Sequence, residues 1–380
     1  MPKVSVVIAS YQHARFVRQA IESVLDQSFQ DFEIVVTDDG SRDGTPDVIR
    51  SIGDRRVKLE VFPRNKGACS AMNASIARST GTYVAVLNSD DYWLPGKLAR
   101  QVAFLDAQPE LAAAFARPVI VDERGAELPD HLLNRIFARH AETRQGWLRT
   151  FFREGNCLCH PTLLIRRACY DEIGGYDPRL AQLPDLDMWV RLASRHAFAV
   201  LPDVVTAFRL LDDQSNASAL RPDVQACLVW EYEKVLARYR ALDDGDFRAV
   251  FADEIAALQL AGAPQDVALA RIAIANRHPW HQRFGLELLY EAAGRGSPGV
   301  EAGEIPALAK TIDPYCMRVR ARLERSQSKA RGIGSLRRFM ARKLRPWRYG
   351  RRRRKETAQE AAAAPDSAPP PLANGASDGT

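Results

Sequence analysis

The sequence predicts an α/β protein: a mostly parallel sheet flanked by helices, followed by a helical C-terminal region and a disordered tail. Three observations predict it. Short apolar runs alternate with helix-spaced apolar stripes over roughly the first 120 residues, the pattern of a parallel sheet covered on both faces. Strand patterns disappear beyond about Arg221. From Glu356 onward the chain is rich in Ala, Pro, Ser and Gly and cannot bury a core. The expected division is 1–215 for the sheet domain, 216–330 for a helical accessory region and 331–380 for a basic, then Ala/Pro-rich tail.

Val4 to Ala9 reads as the first strand. A helix follows, with Phe16, Val17, Ala20, Ile21, Val24 and Leu25 on one stripe. Glu33 to Thr37 is the next strand, then an Asp/Gly-rich turn and a short helix from Pro46 to Ile52. Val57 to Phe62 and Tyr83 to Leu87 are two further strands, separated by a small-residue helix from Ala68 to Ser79. Pro95 suits the first turn of another helix, where its missing N–H costs nothing. From about Arg117 to His160 the pattern is irregular. Leu163 to Ile165 then reads as a strand, Gly174-Gly175 as a turn, and Leu186 to Ser194 as a helix with Trp189 and Val190 inward. Asp223 to Ile312 is helical in composition, broken near Asp243-Asp244-Gly245, Pro264, Pro279 and Gly294 to Gly303.

Composition narrows the class. With 46% hydrophobic and 26% charged residues the chain is an ordinary globular one, and no run approaches the roughly 20 apolar residues of a membrane span. The apolar stretch after Lys3 is too short for a signal peptide, so a cytoplasmic protein is expected. Six cysteines without paired spacing agree. Cys157-x-Cys159-His160 lacks a second ligand cluster, so buried free thiols in a strand are expected there, not zinc. The net charge of +6 belongs to the tail: Arg331 to Lys355 holds many Arg and Lys and no acidic residue.

In open α/β sheets ligands bind beyond the carboxyl ends of the strands. Three of these ends carry polar clusters here: Ala9-Ser10-Tyr11-Gln12, Asp38-Asp39-Gly40-Ser41-Arg42-Asp43-Gly44-Thr45 and Asn88-Ser89-Asp90-Asp91. Each alone reads equally as a turn or a helix cap. Together on one sheet edge they suit a nucleotide diphosphate. A carboxylate accepts the ring N–H of a pyrimidine, and carboxylates bind the hard cations that hold diphosphate.

These motifs resemble the family 2 glycosyltransferases. The resemblance rests on Val4 to Tyr11, Ser23 to Phe29, Asp38-Asp39-Gly40-Ser41-x-Asp43-Gly44-Thr45, Asn65-Lys66-Gly67 with Ala71-x-Asn73, Gly81-Thr82-Tyr83, and Asn88-Ser89-Asp90-Asp91-x-Trp93-x-Pro95. Gly174-Gly175-Tyr176-Asp177 and Pro184 to Leu192 extend it, over residues 1 to about 215. It implies a GT-A fold and an inverting, metal-dependent transfer of a sugar from a nucleotide-diphosphate donor, expected to be a UDP-sugar. The implied acceptor is a saccharide or a lipid-linked saccharide.

By that resemblance Ala9 and Tyr11 line the base pocket, Tyr11 stacks on the base and Asp39 bonds its ring nitrogen. Asn88, Ser89 and Asp90 face the nucleotide sugar, and Asp90 with Asp91 meets Mn²⁺ or Mg²⁺. The motif's first position is Asn88 instead of Asp, which removes one negative charge near the metal. Asp185 stands at the catalytic base, behind Pro184 where the family usually has Glu; Asp187 reads as structural. The segment Arg209 to Ser215 lacks the His often found there. His160 reads as either an acceptor-side residue or a packed one.

A dinucleotide-dependent oxidoreductase needs a Gly-rich first turn, and Ala9 to Arg15 has no glycine. The same absence argues against a nucleotidyltransferase. A nucleic-acid binder acting through the tail leaves the acidic strand ends unexplained, so no nucleic acid is expected. An inactive, glycosyltransferase-like binding module remains the other alternative. The tail itself joins a possible apolar stripe (Leu336, Phe339, Met340, Leu344) to Trp347, Tyr349 and the block Arg351 to Lys355, the pattern of an interfacial anchor on an anionic membrane surface. A solvated basic tail is its bland counterpart.

Overall fold

In the computed structural model, which describes residues 1–212 and 222–312, the β-branched run after Lys3 forms β1 (Val4–Ser10) at the centre of the sheet. It pairs in parallel with β2 (Phe32–Asp38) on one side and β4 (Tyr83–Val86) on the other, and β2 pairs with β3 (Val57–Val61). Strands buried on both faces read as continuous apolar runs, which is why β1, β2 and β4 were plain in the sequence, whereas the edge strand β3 alternates. Gly81 lets β4 close onto β1: a Cβ there would lie 2.6 Å from the Ser5 amide nitrogen.

The sheet continues through β5 (Tyr92–Trp93), β6 (Ala113–Val121), β7 (Leu164–Arg166) and β8 (Phe198–Arg209) in the order β3-β2-β1-β4-β7-β6-β8-β5. It is mixed, with β7 antiparallel to both β4 and β6, and β5 antiparallel to β8. Two long strands, β6 and β8, went unassigned in the sequence. Each contains a proline, and their mutual register shifts around Arg117 and Pro118, an irregularity that lets a strand carry proline.

The helices of the sheet region are α1 (Val17–Leu25), α2 (Thr45–Arg50), α3 (Ala68–Arg78), α4 (Lys97–Ala107), α5 (Leu132–Ile136), α6 (Arg144–Glu154), α7 (Arg167–Ile173) and α8 (Pro184–Ala193). Pro95 falls outside α4, because Gly96 with φ 83° takes the N-cap position. Cys157 and Cys159 are buried free thiols, but they lie in an irregular segment and not in a strand.

Five more helices follow: α9 (Pro222–Leu236), α10 (Asp244–Val250), α11 (Ala252–Ala257), α12 (Gln265–Ala275) and α13 (Pro279–Gly294). The expected breaks recur for the expected reasons: Asp243 caps α10 and Pro279 opens α13. Val235, Tyr239, Phe247 and Phe251 join one core cluster with Val84, Phe115, Trp147 and Trp189 of the sheet region. The basic block 331–355 and the Ala/Pro-rich end lie outside the described residues, as do 213–215 of the segment that lacks the His.

Candidate active site

Parallel pairing of β2, β1 and β4 brings their polar carboxyl ends to one edge. Asp38, buried, accepts from the Ser10 hydroxyl at 2.7 Å and from both the amide and hydroxyl of Ser41, so it knits the first two ends together. Asp43 accepts from the Ala14 amide and from Thr45. Burial would raise its pKa, but these hydrogen bonds win and hold it below the usual value. Gln12 adopts a left-handed φ of 57°, with its amide on Ser41 Oγ. Beside it, Tyr11 is 44% exposed and Ala9 is partly buried.

Asp39 is 2% exposed, and its two oxygens accept the amides of Lys66 (2.6 Å) and Gly67 (2.9 Å). Its first task is therefore to fix the exposed 65–67 loop at the start of α3. A carboxylate oxygen has a second lone pair, which leaves capacity for one more donor.

The turn after β4 is tied to the end of β1 by His13, whose Nδ1 lies 2.7 Å from Ser89 Oγ. Asn88 donates to Asp91 Oδ2 at 2.8 Å, and the Arg209 amide donates to Asp91 Oδ1 at 2.7 Å. Asp91 is 2% exposed, and burial, followed by repulsion from Asp90, pushes its carboxyl well above the ordinary range. Asp91 thus pins the turn against β8 with both oxygens, each of which keeps a second lone pair. Asp90, 9% exposed, is the carboxylate of the pair nearer solvent.

Arg209 closes β8 under this turn. Its guanidinium donates to the carbonyls of Asp90 (2.8 Å) and Glu123 (2.7 Å) and to Gln19 Oε1 (2.6 Å), between the rings of Phe16 and Tyr92. No spacing rule marked Arg209 or His13; only the meeting of β1, β4 and β8 brings them in.

Asp185 is the second residue of α8. Its Oδ1 accepts the Leu186 amide at 2.7 Å and its Oδ2 the Asn156 side-chain amide at 2.5 Å. Burial pushes its carboxyl up to about 6, with a smaller push from Glu231, while the hydrogen bonds pull the other way. Asp187, buried, is held by Arg191 and Arg238, each at 2.8 Å or less, which is a structural position. His160 Nε2 lies 2.8 Å from the Tyr176 hydroxyl, and burial lowers its pKa to about 4, so it is a packed neutral imidazole. The buried Cys159 thiol feels both carboxylates: it is pushed up by burial and then by Asp91 and Asp185.

In sequence Glu231, Glu233 and Asp253 fall in patterns typical of solvated helix faces, and Glu231 departs from that expectation. It is fully buried and accepts the amides of Ala181, Gln182 and Leu183, immediately before α8. Asp253, by contrast, has a 74% exposed side chain, and Glu233 is half-buried.

Comparison with known proteins gives these positions a context. Residues 5–173 match the family model Glycosyl transferase family 2. A Bacillus subtilis protein named for teichuronic acid biosynthesis, the glycosyltransferase TuaG, is 39% identical over 220 residues, covering 57% of this chain and 82% of the relative. The Escherichia coli enzyme WfaP, a UDP-Glc:α-D-GlcNAc-diphosphoundecaprenol β-1,3-glucosyltransferase by name, is 36% identical over 108 residues, 28% of this chain and 43% of its own. The chain spans 66% and 54% of the length of two other curated glycosyltransferases that it matches. Among solved structures, Staphylococcus aureus TarS 1–349 with UDP-GlcNAc superposes with a TM-score of 0.54 at 18% identity, covering 77% of this chain and 87% of that one. At that identity the likeness is one of fold.

Proposed function

Since the chain belongs to glycosyl transferase family 2, we propose that it transfers a hexosyl group from a UDP-sugar, with inversion, to a hydroxyl of a saccharide or lipid-linked saccharide in cell-surface polysaccharide synthesis. The observation that carries this reading is Asp185, a carboxylate at the start of α8 held by the Asn156 side chain and the Leu186 amide, which burial raises to about 6. A base with that pKa is mostly ionised at neutral pH, yet binds a proton more firmly than an ordinary aspartate. In this mechanism the acceptor hydroxyl gives its proton to Asp185 as its oxygen attacks the anomeric carbon. The bond from that carbon to the diphosphate oxygen breaks, and nucleoside diphosphate leaves.

On the donor side, Tyr11 stacks on the base, Asp39 accepts its ring N–H and Ala9 leaves room for it. Asn88 and Ser89 meet the ribose and phosphates. The names of WfaP and of the TarS complex support a UDP-sugar, and those of TuaG and WfaP support a polysaccharide or lipid-linked acceptor. Among the described residues no cluster of three or more ligating side chains exists. The donor set nevertheless fits Mg²⁺ or Mn²⁺, because such ions are bound through one or two carboxylates plus substrate phosphates. Asp90, with Asp91 beside it, would supply the carboxylates, and the ion would neutralise charge on the departing diphosphate.

We assign transfer to residues 1–215 and an accessory, acceptor-side role to 216–330. A screen of nucleotide sugars, with and without Mn²⁺, checks the reading by release of nucleoside diphosphate. UDP release that depends on both metal and acceptor is expected; no release from any nucleotide sugar would leave only a binding module.

No helix among the described residues is long and apolar enough to cross a membrane. We assign attachment to an anionic surface to the basic block Arg351 to Lys355, at about 1 kcal/mol per basic residue. The full chain should pellet with anionic vesicles and not with neutral ones, and a chain ending at Lys329 with neither. Equal pelleting of both chains on anionic vesicles would exclude the tail as the anchor.

A further inference from the structure

Helix α8 begins without a capping side chain of its own: Leu183 at its N-cap makes no side-chain hydrogen bond to the first turn. What steadies this end comes from α9. Glu231 Oε1 accepts the Ala181 amide at 2.7 Å, and Oε2 accepts those of Gln182 and Leu183 at 2.8 and 2.7 Å. The Cys227 thiol, one turn earlier on α9, donates to Oε1 at 3.0 Å. The side chain is 0% exposed. Burying a carboxylate is costly, and backbone N–H groups offset that cost through short, charge-assisted bonds. A second grip lies just beyond α9, where Arg238 Nε donates to Asp187 Oδ1 at 2.7 Å in the first turn of α8. The two contacts bracket Asp185.

We propose that Glu231 is a positioning residue of the transfer reaction: a carboxylate from the helical C-terminal region that clamps residues 181–183 and so sets where Asp185 presents its own carboxylate. The proposal rests on the reading of Asp185 as general base.

It has an electrostatic signature. The groups facing Asp185 are Asn156, Cys69, Cys159, Tyr176, Tyr232 and Glu231. Burial, the leading cause for each, holds Cys69 and Tyr232 up at about 12 and Cys159 and Tyr176 well above their ordinary values, so these are neutral at pH 7. Glu231 is the charged neighbour, and its charge adds to the push of burial on Asp185. Removing that charge makes Asp185 easier to ionise.

The test compares Glu231→Gln, Glu231→Asp and Asp185→Asn in the full chain, using the donor that the screen identifies and UDP titration for the donor site. In Glu231→Gln, kcat should fall roughly 10–10²-fold, the size of effect that a misplacement of about 1 Å produces. UDP affinity should stay within about two-fold, and the acid limb of the pH–rate profile should move to lower pH. In Glu231→Asp, which keeps the charge and shortens the reach, kcat should fall while the limb stays in place. A folded Glu231→Gln with wild-type kcat and an unmoved limb, alongside an inactive Asp185→Asn, would overturn the proposal and leave the base reading standing. An active Asp185→Asn would instead overturn the base reading. If melting shows Glu231→Gln unfolded, Glu231→Asp decides, and wild-type kcat in it overturns the proposal.

Discussion

Asp185→Asn is expected to lower transfer by about 10²–10⁴-fold while leaving UDP binding intact. The amide keeps the shape and its oxygen can still accept the Leu186 N–H, with the Asn156 amide turning its oxygen to the new NH2, but it cannot take the acceptor's proton. In the wild type, transfer should fall as pH drops through about 6, because only the ionised carboxylate accepts a proton. The same group predicts a stability profile. Its folded pKa lies above the ordinary 3.8, so the folded state holds the proton more tightly than the unfolded one. That stabilisation is complete below about 4 and is lost as pH rises through about 6. Asp185→Asn should therefore gain melting temperature relative to wild type at pH 8 and not at pH 4. Retention of more than about a tenth of wild-type turnover would show that another group is the base, given the size of that role.

Asp90→Ala should remove the metal-dependent part of UDP affinity and lower transfer by about 10²-fold or more, since a bound cation contributes several kcal/mol to stabilising the leaving diphosphate. The turn should survive, because Arg209 bonds the Asp90 carbonyl and Asn88 still bonds Asp91. Calorimetric titration with UDP, with and without Mn²⁺, checks it. Metal-dependent affinity equal to wild type would move the ion elsewhere. Asp91→Asn makes the contrast: with both oxygens held inside the protein, its substitution should cost stability more than metal dependence.

The polar strand ends proposed for the donor side were legible in the sequence. Parallel strands buried on both faces announce themselves as apolar runs, and Tyr11, Asp39 and Asp90, the residues proposed for the donor, follow directly at their carboxyl ends. Proline hid β6 and β8, because it argues against a strand unless a register shift accommodates it, and that shift exists only between two paired strands. Asp39 and Asp91 look alike in sequence. Their partners, the 65–67 amides and the Arg209 amide, come from distant segments and give both carboxylates structural work.

Glu231 marks the limit most clearly. On a helix whose neighbours include exposed Trp230 and Lys234, periodicity places a glutamate toward water. Only packing of α9 against the start of α8 buries it, and only there do three backbone N–H groups converge to hold its charge. The sequence by itself determined the four strands of the first half and their polar, acidic ends. The tertiary structure decided which carboxylates are held within the protein and which stay nearer solvent, because hydrogen-bond donors from segments far apart in sequence become neighbours only on folding.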